Sequence, residues 1–295
     1  MTKSHLFHTV IAPVVFLFLW AAGYVVAKVG LQYSGPMTLL GLRFGLVVLL
    51  MGVLFLILRP PLPKTPADWG HLAVVGVLMQ TVYFGLAYMA FVNGIAAGTA
   101  ALVMSLQPVL VALIAPRWTG ERVSWRQWLG LGIALAGTAV VIAARLDIGA
   151  PTVLGFVLAG LSLMGICAAT LWEKRFGLSH HPVTANLIGY AAGLAGLLPF
   201  LVLSAEPAVI WSSTFIWALG YLVIGNSVIA VGLLLAMIRA GEVSRVSALM
   251  FLVPPLSALM AWQVLGEVMP PIAWGGIVLA GLGVWLATAK RLRRV

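Results

Sequence analysis

Apolar stretches about 20 residues long recur from Val10 to Ala289, and the short gaps between them hold nearly all the charge. A helix of that length matches the roughly 30 Å hydrocarbon core of a bilayer. One such stretch is an anchor; a succession of them fills the chain. The runs fall at 10–29, 37–58, 70–92, 95–116, 126–144, 152–172, 183–203, 214–237, 244–264 and 272–289. Ten spans leave no room within 295 residues for a soluble catalytic domain. Composition agrees: 8% of residues are charged and 62% hydrophobic, against about 25% charged in soluble domains. The gaps carry helix breakers, among them Ser34-Gly35-Pro36, Pro60-Pro61, Gly149-Ala150-Pro151, His181-Pro182 and Pro270-Pro271. The ten-residue alternating segments of a membrane barrel are missing. The first run lacks a cleavage site of the signal-peptide type and is expected to be a retained span.

Charge orients these spans. With the N-terminus in the cytoplasm, fourteen of the 17 basic residues fall in inner segments and only Arg145 in an outer one. Such a bias predicts that both termini are cytoplasmic. The net charge of +10 is therefore read as basic loops facing anionic lipid, and no nucleic-acid partner is expected. Cys167 is the one cysteine, which excludes an intrachain disulfide. His5, His8, His71, His180 and His181 are terminal or loop-edge, so neither a metal set nor any other cofactor is expected.

The chain also matches itself. At an offset of 146 residues, 100–145 meets 246–291 without a gap, and fifteen of the 46 pairs are identical. They include Met104/Met250, Pro108/Pro254, Gly120/Gly266, Glu121/Glu267, Trp128/Trp274, Gly130/Gly276 and Gly137/Gly283. Upstream, the same offset pairs Lys28 with Lys174 and Pro36 with Pro182. Two repeats, 1–148 and 149–295, hold five spans each, and an odd number forces the second to start on the opposite membrane face. Inverted repeats are the architecture of many secondary transporters, whose sites lie near the midplane between the halves.

The twin pattern of Pro108, then Gly120-Glu121, then Trp128 and Gly130, with Pro254, Gly266-Glu267, Trp274 and Gly276 as its echo, resembles EamA-type members of the drug/metabolite transporter (DMT) superfamily. Among them it is similar to the YddG-like aromatic amino-acid exporters of the bacterial inner membrane. The resemblance implies an all-α integral membrane fold of ten transmembrane helices in two inverted five-helix repeats. It also implies export of small metabolites, aromatic and other neutral amino acids foremost, by alternating access.

Several residues are candidates for the substrate path. In the third span Gln80, Tyr83, Phe84 and Tyr88 recur at helical spacing on one face that is both aromatic and polar, as a cavity for an amphiphilic amino acid requires. Gln107 beside Pro108, and Asn226 after Gly225, stand where backbone carbonyls are freed. Trp20, Tyr24 and Trp172 lie on the first and sixth spans, and Met104 and Met250 on the fourth and ninth, supplying adaptable apolar lining. Lys28 and Arg43 are the basic residues most nearly inside the membrane, and either suits a substrate carboxylate. Pro108 and Pro254 sit within spans and are hinge candidates. Glu121 and Glu267 follow a glycine that ends a span and read as charges at a helix N-terminus. All seven acids, Asp68, Glu121, Asp147, Glu173, Glu206, Glu242 and Glu267, fall in gaps or at span ends. That favours facilitated diffusion over carboxylate-based coupling, with His71 and Lys28 as the remaining titrating candidates. No enzyme motif occurs. A proton-coupled exporter of drugs or other metabolites, and a non-transporting membrane scaffold, remain the alternatives; the protein is expected to be a monomer or weak homodimer.

Overall fold

The computed structural model describes residues 11–94, 103–144, 152–177, 180–240, 243–265 and 270–288. Lys3, His5, His8, Arg145, Asp147, Pro151, Glu242, Gly266, Glu267 and the basic C-terminal residues lie outside the described residues. Ten helical rods are seen among the described residues. They are α1 (Ala12–Gly30), α2 (Pro36–Leu58), α3 (Pro66–Val92), α4 (Gln107–Trp118), α5 (Trp125–Ala143), α6 (Val153–Phe176), α7 (Pro182–Leu203), α8 (Ser213–Tyr221 continuing to Ala240), α9 (Val243–Ala248 continuing to Leu265) and α10 (Pro271–Thr288). Seven are long and apolar enough to cross a membrane on their own. Their outer faces are apolar, with Leu49, Leu56, Val153, Val202, Leu203, Trp217 and Trp285 all exposed. A water-soluble protein does not tolerate that surface; lipid requires it.

Local chemistry sets the rod ends. Proline stands in the first turn of α1, α2, α3, α4 and α7, where its missing N–H costs no helical bond. Thr65 and Asp68 form a capping box on α3, and the Ser212 hydroxyl caps α8. Gly120, at φ +76°, closes α4 in the left-handed conformation that suits glycine. The Glu121 carboxylate then accepts a hydrogen bond from the Val243 N–H. It thus serves a helix N-terminus as its position suggests, although the helix is α9 rather than the adjoining α5. Glu206 does the same for α2, accepting from Met37 N (2.8 Å) and Thr38 N (2.7 Å).

The 146-residue shift carries one half onto the other. It maps α2 onto α7, α4 onto α9 from Val253 onward, and α5 onto α10, each within about a residue. Both α3 and α8 contain a nine-residue π-helical segment, Val77–Gly85 and Leu222–Ala230, again within one residue of the shift. The inversion is visible where α5 packs on α10. A Cβ on Gly130 would lie 2.7 Å from Gly283 O, one on Gly283 2.7 Å from Gly130 O, one on Gly137 2.7 Å from Gly276 O, and one on Gly276 2.8 Å from Gly137 O. The contact thus exchanges with itself under the repeat, and it runs antiparallel, as a twofold axis in the membrane plane demands.

The two hinge candidates each stand at the start of a helical segment. Pro108 and Pro254 do not interrupt continuous helices. Pro108 lies in the first turn of α4, directly after a turn at 105–106. Pro254 lies in the first turn of the segment Val253–Leu265, directly after the 3₁₀ turn Leu249–Leu252. Each rod is broken just before its proline, and the proline starts the helix afresh. Broken helices in matching positions of two repeats are a recurrent feature of transporter binding regions.

Candidate functional site

The π-helical segments of α3 and α8 bring the polar residues of both repeats to mid-span. Gln80-Thr81 in the first and Asn226-Ser227 in the second are related by the 146-residue shift. A π-helix widens the turn and leaves carbonyls for other partners, which is why it recurs at functional sites. Here Ser162 of α6 donates to Tyr83 O (2.8 Å), and Thr81 donates to Gly193 O on α7 (2.7 Å).

Arg43 enters this region from α2, about 10 Å along the helix from its N-terminus at 1.5 Å per residue. Its residue is 1% exposed. Nε donates to Ser227 Oγ (2.7 Å) and Nη2 to Asn226 Oδ1 (2.5 Å). The guanidinium lies over the Phe84 ring at 4.4 Å and near Phe44 at 5.7 Å. Asn226 is steadied from α1, donating to Leu19 O (3.4 Å), and Gly23 leaves the space its amide occupies. Tyr190 donates to Ser227 O (3.0 Å) and packs on Phe44. Among the described residues no carboxylate pairs with Arg43; its partners are neutral amide, hydroxyl and aromatic groups. A cation held that deep is costly, and ionisable residues kept there mark substrate or ion pathways.

An aromatic wall adjoins it. Trp20 stacks on Tyr83 at 6.4 Å and tilts against Phe84 at 6.0 Å, and Tyr83 and Phe84 lie 4.6 Å apart. The Tyr24 and Tyr83 hydroxyls are 3.1 Å apart. Tyr88 is buried on the same rod, its hydroxyl without a hydrogen-bond partner. Met104, just before the turn at 105–106, and Met250, in the matching 3₁₀ turn, belong to the same hydrophobic core. The structure therefore brings together Trp20, Tyr24, Gln80, Tyr83, Phe84, Tyr88 and Asn226, while Met104 and Met250 share only the wider hydrophobic core. Gln107 is buried at the start of α4, and its carbonyl faces Cys167 Sγ at 4.0 Å.

Two candidates lie elsewhere. Trp172 belongs to a separate cluster at the far end of α6, 4.7 Å from Phe176, 5.8 Å from His71 and 6.5 Å from Trp118. Arg175 sits over the Trp118 ring of that cluster. Lys28 is exposed on the last turn of α1. Both stand near the ends of their helices, whereas Trp20 stands near the middle of α1. Tyr190 is the residue that sequence reasoning missed. Its signal was its place at the repeat mate of Phe44, and only packing of α7 against α2 makes that informative.

Below this region a cavity of about 20 Å³ lies between α3, α6, α7 and α8, the size of a single water. Gln80, Gly189 and Tyr190 border it, as do Glu173 and Arg239. Glu173 lies in the last turn of α6, at the span end where the acids were expected, yet it is 1% exposed and ion-paired with Arg239. The Arg239 side chain is 19% exposed and so less enclosed than Glu173. The two ends of the pair should therefore respond differently. Arg239→Met strands a buried carboxylate and is expected to cost about 3 kcal/mol or more. Glu173→Gln should cost less, and the double variant should recover most of the loss. Thermal unfolding in detergent measures all three, and equal losses for the single variants would contradict the burial asymmetry.

The chain was compared with known proteins. It is 28% identical over 278 residues, 90% of each chain, to a "Probable amino-acid metabolite efflux pump" of Salmonella typhimurium. It is 29% identical over 297 residues to a "Probable terminal-alkyne amino-acid exporter" of Streptantibioticus cattleyicolor, covering 96% of this chain and 94% of that one. A solved crystal structure that is 20% identical superposes with a TM-score of 0.79 over 94% of this chain and 96% of its own, a likeness of fold. The model of the EamA-like transporter family matches twice, at residues 9–143 and 151–289, once for each half. With a double match over nearly the whole chain, ten rods in two inverted halves and broken helices at corresponding positions, this multi-pass membrane protein belongs to the EamA-like transporter family.

Proposed function

We propose that the protein exports apolar and aromatic amino acids from the bacterial cytoplasm by facilitated alternating access, with Arg43 as the anchor of the substrate carboxylate. The observation that carries this reading is the buried Arg43 guanidinium with neutral partners, set against the aromatic wall of Trp20, Tyr83 and Phe84. A carboxylate completes the charge balance of such a site with charge-assisted bonds, and the rings accept an apolar side chain. The relatives named for amino-acid efflux and export support the same substrate class. The basic bias of the loops supports an inner-membrane protein with both termini cytoplasmic. The repeats 1–148 and 149–295 are the two bodies that rock against each other.

The test is counterflow of labelled amino acids into proteoliposomes of the purified protein, with and without a pH gradient. Saturable exchange of tryptophan, phenylalanine or methionine that ignores the gradient is the expected result. Flux that follows the gradient overturns the facilitative part and points to His71 and Glu173. Absence of amino-acid flux overturns the substrate class.

The breaks before Pro108 and Pro254 are the elements expected to flex. Pro108→Ala allows α4 to extend across its break, because alanine restores the N–H that proline lacks. Exchange is expected to slow several-fold while the concentration for half-saturation changes little. Unchanged exchange by a well-folded Pro108→Ala protein would remove the hinge role.

A further inference from the structure

We infer that the cavity between α3 and α7 receives the α-ammonium group of the transported amino acid, with Gln80 Oε1 as its acceptor. The inference rests on the reading of Arg43 as the carboxylate anchor and extends it to the other charge of a zwitterion.

The repeat supplies the first reason. Asn226 Oδ1 accepts from the Arg43 guanidinium. Gln80 is the repeat mate of Asn226, and the mate of Arg43 is Gly189. One amide oxygen thus holds a resident cation, while the second half carries glycine at the position equivalent to Arg43; the cation that does border the Gln80 cavity, Arg239, is ion-paired with Glu173. Gln80 is 3% exposed, and its Oε1 has no hydrogen-bond partner. An acceptor buried in that state is costly unless something arrives to satisfy it.

The space supplies the second. Gly76, Gln80, Asn186, Gly189 and Tyr190 border a cavity of about 20 Å³, as do Glu173 and Arg239, which neutralise each other as an ion pair; it is too small for an amino acid and the right size for one ammonium group. Packing does not require a glycine at 189, because a Cβ there would meet only Gly76 Cα at 3.7 Å and Leu72 O at 3.8 Å, both ordinary contacts. The glycine keeps the cavity open. Adjacency supplies the third. The Tyr190 hydroxyl interacts with Arg43 and with Gln80, so the anion and cation subsites share a wall. The two charged groups of an α-amino acid are likewise one carbon apart.

The site is therefore selective for zwitterions over plain carboxylates. Competition with labelled phenylalanine counterflow, using unlabelled phenylalanine and its des-amino analogue 3-phenylpropionate, reads this directly. The wild-type protein is expected to prefer phenylalanine by about tenfold or more, the scale of one charge-assisted hydrogen bond. Gln80→Met should bring phenylalanine down to the des-amino analogue, whose own competition is unchanged, and Gln80→Glu should keep the preference. Gly189→Ala, whose methyl enters the cavity without a clash, should produce the same selective loss and serves where Gln80→Met folds poorly. A preference that survives both variants, or a parallel loss for both compounds, overturns the subsite and leaves a water site only. Absence of phenylalanine counterflow in the wild type overturns the export reading and the subsite together, so the two failures are distinguishable.

Discussion

Arg43→Met is expected to abolish amino-acid counterflow at ordinary substrate concentrations while leaving the protein folded and at least as stable. Removing one partner of a buried charge pair costs about 2–5 kcal/mol, which corresponds to a loss in substrate affinity of about 30-fold to several thousand-fold. Without substrate the sign reverses. Arg43 is 1% exposed and held by Asn226, Ser227 and the Phe84 ring, none of which offsets its desolvation as a carboxylate does. A methionine of similar reach removes that desolvation, as replacement of buried ions by apolar side chains does elsewhere. Arg43→Lys keeps the charge but not the two-pronged geometry and should fall between. Counterflow and thermal unfolding of the same preparations separate the roles. Should Arg43→Met unfold the protein, Arg43 is a strut between α2 and α8 and the carboxylate anchor must be sought elsewhere.

The second large effect belongs to the α5–α10 contact. Gly283→Val is expected to destabilise the folded protein by about 3 kcal/mol, read as an early melting transition and loss of monodisperse protein in detergent. The added atoms meet the backbone of Gly130 and Ala134, and backbone cannot rotate away as a flexible side chain does. The repeat sharpens the prediction. Gly137 meets Gly276 and Ala280 in the same relation that Gly283 has to Gly130 and Ala134, so Gly137→Val should cost nearly the same. Combined, the two should cost much less than twice as much, because the first substitution already separates the helices on which the second acts. Additive losses would mean that the two contacts open independently. In either case the effect is on folding, and Arg43 lies on other rods.

The rods themselves were legible from the start. Apolar runs of membrane length, ended by proline and glycine, placed nine of the ten within a few residues of the observed helices; the fourth run, 95–116, begins in residues outside the described ones, and its helix is seen from Gln107. Lipid makes this simple, because a backbone without water must close its hydrogen bonds within the helix. The repeat was legible where packing demands particular residues, as at the glycines of α5 and α10. It was faint in the first three spans of each half, where any apolar side chain serves. The π-helical segments were not legible, since nothing in Val77–Gly85 or Leu222–Ala230 marks a wider turn. They show themselves only through the partners that take up the loosened backbone, Ser162 for Tyr83 among them.

The same division runs through the site. The sequence alone determined that this chain spans a membrane about ten times, in two halves of opposite orientation, with Gln80, Tyr83, Phe84 and Asn226 inside the spans. Periodicity and charge are local properties, and they suffice for that. Only the tertiary structure decided that Arg43 rather than Lys28 is the buried cation. Both are basic residues within or near a span, but Lys28 can extend from the end of α1 to the surface, whereas Arg43 is enclosed by α3, α7 and α8. Only the tertiary structure separated Trp20 from Trp172, and set Gln80 at a small cavity while its repeat mate holds a guanidinium. Which side chains meet across a bundle depends on how the helices are rotated and how deep each residue sits, and no single helix carries that information.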